Sequence, residues 1–429
     1  MVMNSFQRFT LLSSKALLSS KALLSGSTLL SDNTLLSDNT LLSGNTLLPG
    51  NTILPEEDLQ SITLPSFTSQ KKIIVLASNE INDDSLFLNG LTQNIIILYD
   101  LFEAMGYTCK LLQTNIAANK KSFLDRYSYI KTTELINHSI HIFIEIGMSI
   151  DAPTRGFLRK RGTKITKLYL GNILNIDVET IQQYPSMFFN HHIVGEIDAI
   201  WTSPHYKQHI EYAAIINRTS IDNSRVVPYV WDPCFIEQYA PNLDWIPHTW
   251  ETQDIVITDP SISFQKCSFY SILLVEAFAK AHPEWKGKLH IVNGDRLKIS
   301  ANAFNKVVLN LQIYKTNRMV LYGRKKINDI MNDHRSACFI THQWNNDYNY
   351  MTLELMHHNY PILHNSDGWA DYGYYYSINR WSAAIDLLYN TLVNHKEQLP
   401  IYKSHTKNLI WKHSINNPAI QTRWSTILE

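Results

Sequence analysis

Two successive runs of strand and helix alternation, divided by a stretch rich in proline and aromatic residues, constrain this chain more than any other feature. The first run starts at Lys71. KKIIVLASN is a continuous apolar segment after a basic entry, the pattern of a strand buried on both faces. A helix is expected from Leu91 to Met105, stopped by Gly106, with a second strand behind it. HSIHIFIEIG (138–147), TKLYLGN, EIDAIWTS and SRVVPYV predict four more strands with helical segments between them. The segment from Pro228 to Trp250 breaks this rhythm and reads as a linker. Alternation then restarts. DIVITDP, KLHIVNG, MVLYG and SACFITHQ are expected strands, and SFYSILLVEAFAKAHPEW and KKINDIMNDHRS expected helices. Such a pattern specifies parallel, doubly wound α/β sheets, here two in succession with a cleft between them.

The expected division is an extension over residues 1–70, one Rossmann-like domain over 71–235 and a second over 236–395. Helices over 396–429 are expected to return towards the first domain. Within the extension, residues 11–58 repeat a hexapeptide: LLSSKA twice, LLSGST, LLSDNT twice, LLSGNT, LLPGNT and ILPEED. Period six suits a parallel β-helix, but these units complete fewer than about three coils, the least that stacks stably. A loosely ordered extension is therefore expected, and deleting residues 1–68 should leave the thermal midpoint almost unchanged. A fall of more than about 5 °C in a thermal melt would show that the repeats pack on the body.

With 38 Lys+Arg against 38 Asp+Glu the chain is formally neutral, which argues against a nucleic-acid partner. No apolar run is long enough for a transmembrane helix, and no signal-type segment opens the chain. Cys109, Cys234, Cys267 and Cys338 are scattered, as expected for reduced thiols in a cytoplasmic protein.

The stretch HQWNNDYNYMTLELMHHNYPILHNSDG (342–368) carries the most chemistry. It predicts a helix with Glu354 on its first turn, followed by a turn and a buried strand. A carboxylate there could accept ribose hydroxyls, or simply cap the helix. Lys266, at a strand-to-helix turn, would set a cation and backbone N–H groups against a diphosphate. Asn89, Gly90, Gln93 and Asn94 form a turn that opens a helix, where glycine allows close backbone approach. Glu145 ends an apolar strand and is a candidate base for an acceptor hydroxyl, or a buried, satisfied carboxylate.

Other clusters are weaker. His205 and His209 have helical metal-ligand spacing but lack the glutamate of a zinc-protease motif, so no zinc is expected there. His191 and His192 read as surface histidines. Arg155, Arg159, Lys160 and Arg161 read as a solvated face. The aromatics from Tyr372 to Tyr376 would line an acceptor groove or cover the domain junction. Glycine-rich dinucleotide and P-loop fingerprints are absent, as are paired Asp-x-Asp acids.

The 342–368 stretch resembles the C-domain signature of retaining GT-B glycosyltransferases of the family-4 type: an acid, seven residues, a Glu, then Ala-Met-Ala-x-Gly-x-Pro-Val. Glu354, Met356 and Pro361 match it, the first acid falls on Asn346 and the glycine on Asn359. Val227-Pro228 with Trp231-Asp232 and Phe235 is similar to the segment closing the N-domain in these enzymes. Lys266 matches the lysine of their phosphate loop, whose arginine falls on Ser261. Four stretches resemble a GT-B-like family of bacteria and large viruses: residues 85–94, Ile144–Gly147, Val230–Pro233 and 342–350. That likeness adds His342, Asn346, Asn349 and Tyr350 to the candidate site. The resemblance implies a GT-B glycosyltransferase acting on a nucleotide-sugar donor and a glycan, lipid or protein acceptor. It implies no metal and no cofactor. The alternative is an inactive GT-B-like glycan-binding or structural module.

Overall fold

The computed structural model describes Lys72 to Glu429, apart from residues 79–80, 83–85, 87–89, 113–122, 184–196, 262, 299–300 and 379. The hexapeptide extension, Asn89, His191 and His192 therefore lie outside the described residues.

The first sheet has seven strands in the order β3-β2-β1-β4-β5-β6-β7. These are β1 (Ile73–Ala77), β2 (Thr108–Leu112), β3 (Tyr129–Ile130), β4 (Ile140–Ile146), β5 (Lys164–Tyr169), β6 (Ala199–Thr202) and β7 (Ser224–Val226). The second sheet has six, in the order β10-β9-β8-β11-β12-β13. They are β8 (Ile255–Ile257), β9 (Leu289–Ile291), β10 (Met319–Leu321), β11 (Cys338–Thr341), β12 (Ile362–His364) and β13 (Tyr374–Tyr375). Every pairing is parallel. Both sheets thus repeat the Rossmann order, and each reverses strand direction of growth once, at β1/β4 and at β8/β11. Ligand crevices open at the carboxyl ends of strands at such reversals.

Between the strands run α1 (Gly90–Ala104), α2 (Ala152–Lys160), α3 (Ile173–Gln183), α4 (Ile210–Ile216), α5 (Cys234–Tyr239), α6 (Phe269–Ala281), α7 (Ala301–Lys306), α8 (Gln312–Lys315), α9 (Ile327–Asp333) and α10 (Tyr350–His357). The expected stop after the first helix is real: Gly106 takes φ +92°, the left-handed value that glycine adopts freely. The stretch expected as a linker carries α5, with Phe235 and Ile236 buried against the core.

A single helix, α11 (Trp381–His413), runs through the expected boundary at 395/396 and packs on α6 and α10. It contains Pro400, and side chains on either side anchor it: His395 Nε2 meets Asn359 O at 3.0 Å and the Tyr402 hydroxyl donates to Tyr360 O at 2.7 Å. The following α12 (Pro418–Leu428) lies on the first half. There Trp424, fully buried, meets Phe102 and Trp201 edge-on with centroids 5.2 and 5.6 Å apart. Among the described residues no helix is long and apolar enough to cross a membrane.

Candidate functional site

Loops from the carboxyl ends of both sheets meet around a cavity of about 220 Å³. Gly90, Gln93 and Asn94 come from the start of α1, behind β1. Thr258, Pro260 and Lys266 follow β8, Asn293 follows β9, and Arg324 and Lys325 follow β10. Asn346, Asn349, Tyr350 and Glu354 follow β11. The two crevices predicted by strand order therefore face each other and share one space.

The loop between β8 and α6 is built for a narrow turn. Ser261 takes φ +53°, its N–H donates to Lys266 O at 2.8 Å, and its hydroxyl lies 2.6 Å from that of Ser268. Asp259, fully buried, accepts from His342 N at 2.9 Å and from the Thr341 hydroxyl at 2.7 Å. Burial lifts its carboxyl to about 6, against the pull of those bonds and of the nearby Lys266 cation. Lys266 in turn is lowered by burial, while Asp259 supports its charge. A cation held under-solvated at the mouth of a helix N-terminus is a ready acceptor for an anion.

Glu354 sits on the second turn of α10, not the first. Asn349 is the cap, accepting Met351 N at 3.1 Å, so the capping reading of Glu354 falls away. The carboxylate is 3% exposed and accepts from Gln93 Nε2 at 2.9 Å, across the junction of the two halves. Burial pushes its carboxyl up from 4.5 to about 7, partly offset by the Gln93 bond. The folded protein therefore holds this proton more tightly than the unfolded chain. Its stabilising contribution is complete below about pH 4.5 and is lost as pH rises through about 7. Glu354→Gln, which cannot ionise, should melt with the wild type at ~pH 4 and at least about 2 °C above it at ~pH 8. Coincident melts at both pH values would contradict this burial.

Asn346 takes the Tyr206 hydroxyl on its carbonyl and donates its amide to Gln343 Oε1. Gln343 Nε2 continues to Asp259 Oδ1 at 3.3 Å. A polar chain thus links Tyr206 of the first half to Asp259, in the loop after β8 of the second. Asn172 Nδ2, donating to Asn345 O at 2.9 Å, and the Tyr350 hydroxyl, donating to Val230 O at 3.1 Å, run beside it. Asn359 adopts φ +65°, a conformation asparagine tolerates better than most residues. A Cβ on Gly90 would meet the Tyr350 ring at 3.1 Å, so that approach favours glycine.

Of the predicted residues, the cavity gathers Gly90, Gln93, Asn94, Lys266, Asn346, Asn349, Tyr350 and Glu354. Two are not brought there. His342 points into the second half, its Nδ1 2.9 Å from the Tyr376 hydroxyl and its ring stacked on Tyr270, and burial lowers it to about 4. Glu145 is wholly buried inside the first half, 3.3 Å from Arg155 and 3.7 Å from Lys167, and accepts Ile150 N at 3.0 Å. Arg155 is likewise buried, which corrects its assignment to a solvated face. Arg159 fits that assignment, forming an exposed pair with Asp198 at 2.8 Å.

Sequence reasoning missed Arg324, Lys325, Tyr206 and Tyr229, and passed over His205 except as a zinc ligand. His205 faces the cavity with its Nδ1 3.0 Å from the Ser203 hydroxyl. Burial, then the Lys266 cation, keeps it well below its ordinary range, so it is neutral at neutral pH.

Two Rossmann-like sheets facing one another across such a cleft define the GT-B architecture, and solved GT-B structures superpose along the chain. They include a glycosyltransferase from Rickettsia africae ESF-5, with 14% identity, 83% of this chain and 98% of that one covered, and a TM-score of 0.50. TarM gives 10% identity, 84% and 99% coverage, and a TM-score of 0.53. The trehalose-6-phosphate protein from E. coli bound with UDP-2-fluoro glucose gives 12%, 83% and 99%, and 0.53. At these identities the shared property is the fold. The chain belongs to the DUF2827 family, described as proteins of unknown function, whose family model matches residues 74–428. No curated protein sequence matches it.

Proposed function

We propose that this protein is a glycosyltransferase that moves a sugar from a nucleotide-activated donor to a glycan, lipid or protein acceptor. One observation carries the reading: a cation-bearing loop-to-helix turn at Lys266 and a buried carboxylate at Glu354 converge, from the same half, on a cleft closed by the other half. The donor diphosphate would lie against Lys266 and the N-terminus of α6, with Glu354 taking ribose hydroxyls in place of Gln93. The acceptor would lie against the first half, near His205 and Tyr206. Lys266 and the helix terminus supply the charge that a metal supplies elsewhere, so transfer is proposed to be metal-independent. The nucleotide in the UDP-2-fluoro glucose complex of the E. coli structure fits the same donor class. The reading extends to a retaining, family-4-like enzyme of the cytoplasm, akin to GT-B-like proteins of bacteria and large viruses, with no nucleic-acid partner.

Calorimetric titration with UDP, GDP and their sugars, alongside an assay for slow donor hydrolysis, tests it. At least one nucleotide should bind, and its sugar should be released to water. Above about pH 7, where Glu354 is ionised, Glu354→Gln should weaken nucleotide binding about ten- to a hundredfold, since a charge-assisted hydrogen bond is worth roughly 1.5–3 kcal/mol. A second reading, an inactive glycan-binding or structural module, draws on Asn346 standing in place of the acid and being tied to Tyr206 and Gln343. Nucleotide binding without hydrolysis or transfer would favour that module. Failure of every nucleotide to bind would sink the donor site itself.

A further inference from the structure

Away from the cleft, one face of the second sheet holds a cluster that the transfer reaction does not use. In the parallel register Val256, His290 and Val320 stand side by side on β8, β9 and β10. Side chains alternate along strands, so Asp254, two residues before Val256, and Tyr322, two after Val320, share His290's face. His334, just past the end of α9, comes down on the same spot, with its ring centroid 4.3 Å from that of His290. One ligand atom from each of Asp254, His290 and His334 lies within 4.8 Å of the others, the one such group among the described residues.

We propose that Asp254, His290 and His334 bind a divalent transition-metal ion, zinc being the best fit. The donor set is a carboxylate with two imidazoles, which suits a borderline cation at about 2.0–2.2 Å from each atom. Asp254 is held in place: its Oδ1 accepts Lys288 N at 2.8 Å, which turns Oδ2 to His290 Nε2 at 2.8 Å. That spacing need only open by about half an ångström to reach the ~3.3 Å between neighbouring ligand atoms on one tetrahedral zinc. The other nitrogen of His290, Nδ1, lies 3.0 Å from the Tyr322 hydroxyl. Metal-bound histidines are characteristically fixed in this way through their second nitrogen. A plain Asp–His pair would account for Asp254 and His290 but not for His334, a half-buried imidazole turned onto them with no side-chain hydrogen bond of its own. Lys325 is paired with Asp333 at 2.7 Å. Water would complete the coordination.

The ion would pin the end of α9 to β8 and β9. Ile327 and Ile330 of α9, with Arg324 and Lys325 just before it, form one wall of the cleft, so the metal would brace that wall from behind. No step of the proposed transfer passes through it.

The test uses the full chain, freed of metal with a chelator and titrated with Zn²⁺ and then Co²⁺. One Zn²⁺ per chain should bind with a dissociation constant below about 1 µM, and Co²⁺ should show four-coordinate ligand-field bands. Zn²⁺ should also raise the thermal midpoint. His334→Ala and Asp254→Asn should each abolish the spectrum and the thermal shift, and Tyr322→Phe should weaken affinity about ten- to a hundredfold. Absence of tight binding would overturn the proposal, as would binding that survives both ligand substitutions in folded protein. Nucleotide titration of the metal-free chain keeps this result separate from that of the cleft.

Discussion

Lys266→Ala should lower donor turnover by about a hundredfold or more, with a smaller loss of donor affinity. Charge grows on the departing diphosphate as the sugar leaves, so a fixed cation gains interaction energy in the transition state that it lacks in the ground state. The surroundings of Lys266 suit that role. Burial has already removed much of its water, and Asp259, the carboxylate that supports its charge, is itself occupied by Thr341 and His342. Little reorganisation is then needed when the anion forms. Lys266→Arg keeps the charge and should recover part of the rate. Single-turnover and equilibrium binding measurements on folded Lys266→Ala decide the matter: if both are unchanged, the cleft is not where the donor reacts.

Glu145→Ala should destabilise the protein by about 3–5 kcal/mol, the usual cost of stripping the counter-charge from a buried ion pair. Two cations depend on this carboxylate. Arg155 and Lys167 are both almost wholly buried, and burial already lowers the Lys167 ammonium to about 8, with Glu145 the main opposing influence. Without Glu145 both must lose their charge, find water or open the structure. Urea unfolding should show the full loss. If the midpoint stays put while transfer disappears, Glu145 acts on substrate and its burial between cations is incidental.

The architecture was legible because parallel strands buried on both faces leave continuous apolar runs, and each run from Lys71 onward became a strand. The two strands that escaped, β3 and β13, are two-residue edge segments whose pairing depends on neighbours, not on pattern. Half of the site was legible for a related reason: residues at the carboxyl ends of β1, β8 and β11 lie beside the strand-order reversals. Arg324 follows the edge strand β10, away from that reversal, and its only sequence signal is the basic RKK run after MVLYG. Tyr206 and His205 follow β6, three strands along from β1 and away from the reversal, so strand order does not single them out. Glu145 shows a missed signal of another kind. A glutamate and a lysine each interrupt an apolar strand, and in the parallel register Glu145 stands opposite Lys167. Two buried charges of opposite sign on consecutive strands announce each other, and that would have argued for mutual neutralisation before catalysis.

The packing of Trp424 against Phe102 and Trp201 has a consequence for how the chain is made. Synthesis proceeds from the amino end, and domains ordinarily fold as they emerge, at about 5–20 residues per second. Here the first sheet emerges early but lacks the indole that fills its outer layer until α12 has left the ribosome. The wall it is missing arrives only after the whole second sheet. The nascent first half must wait with an apolar face uncovered, and its final consolidation depends on α12 instead of on its own completion.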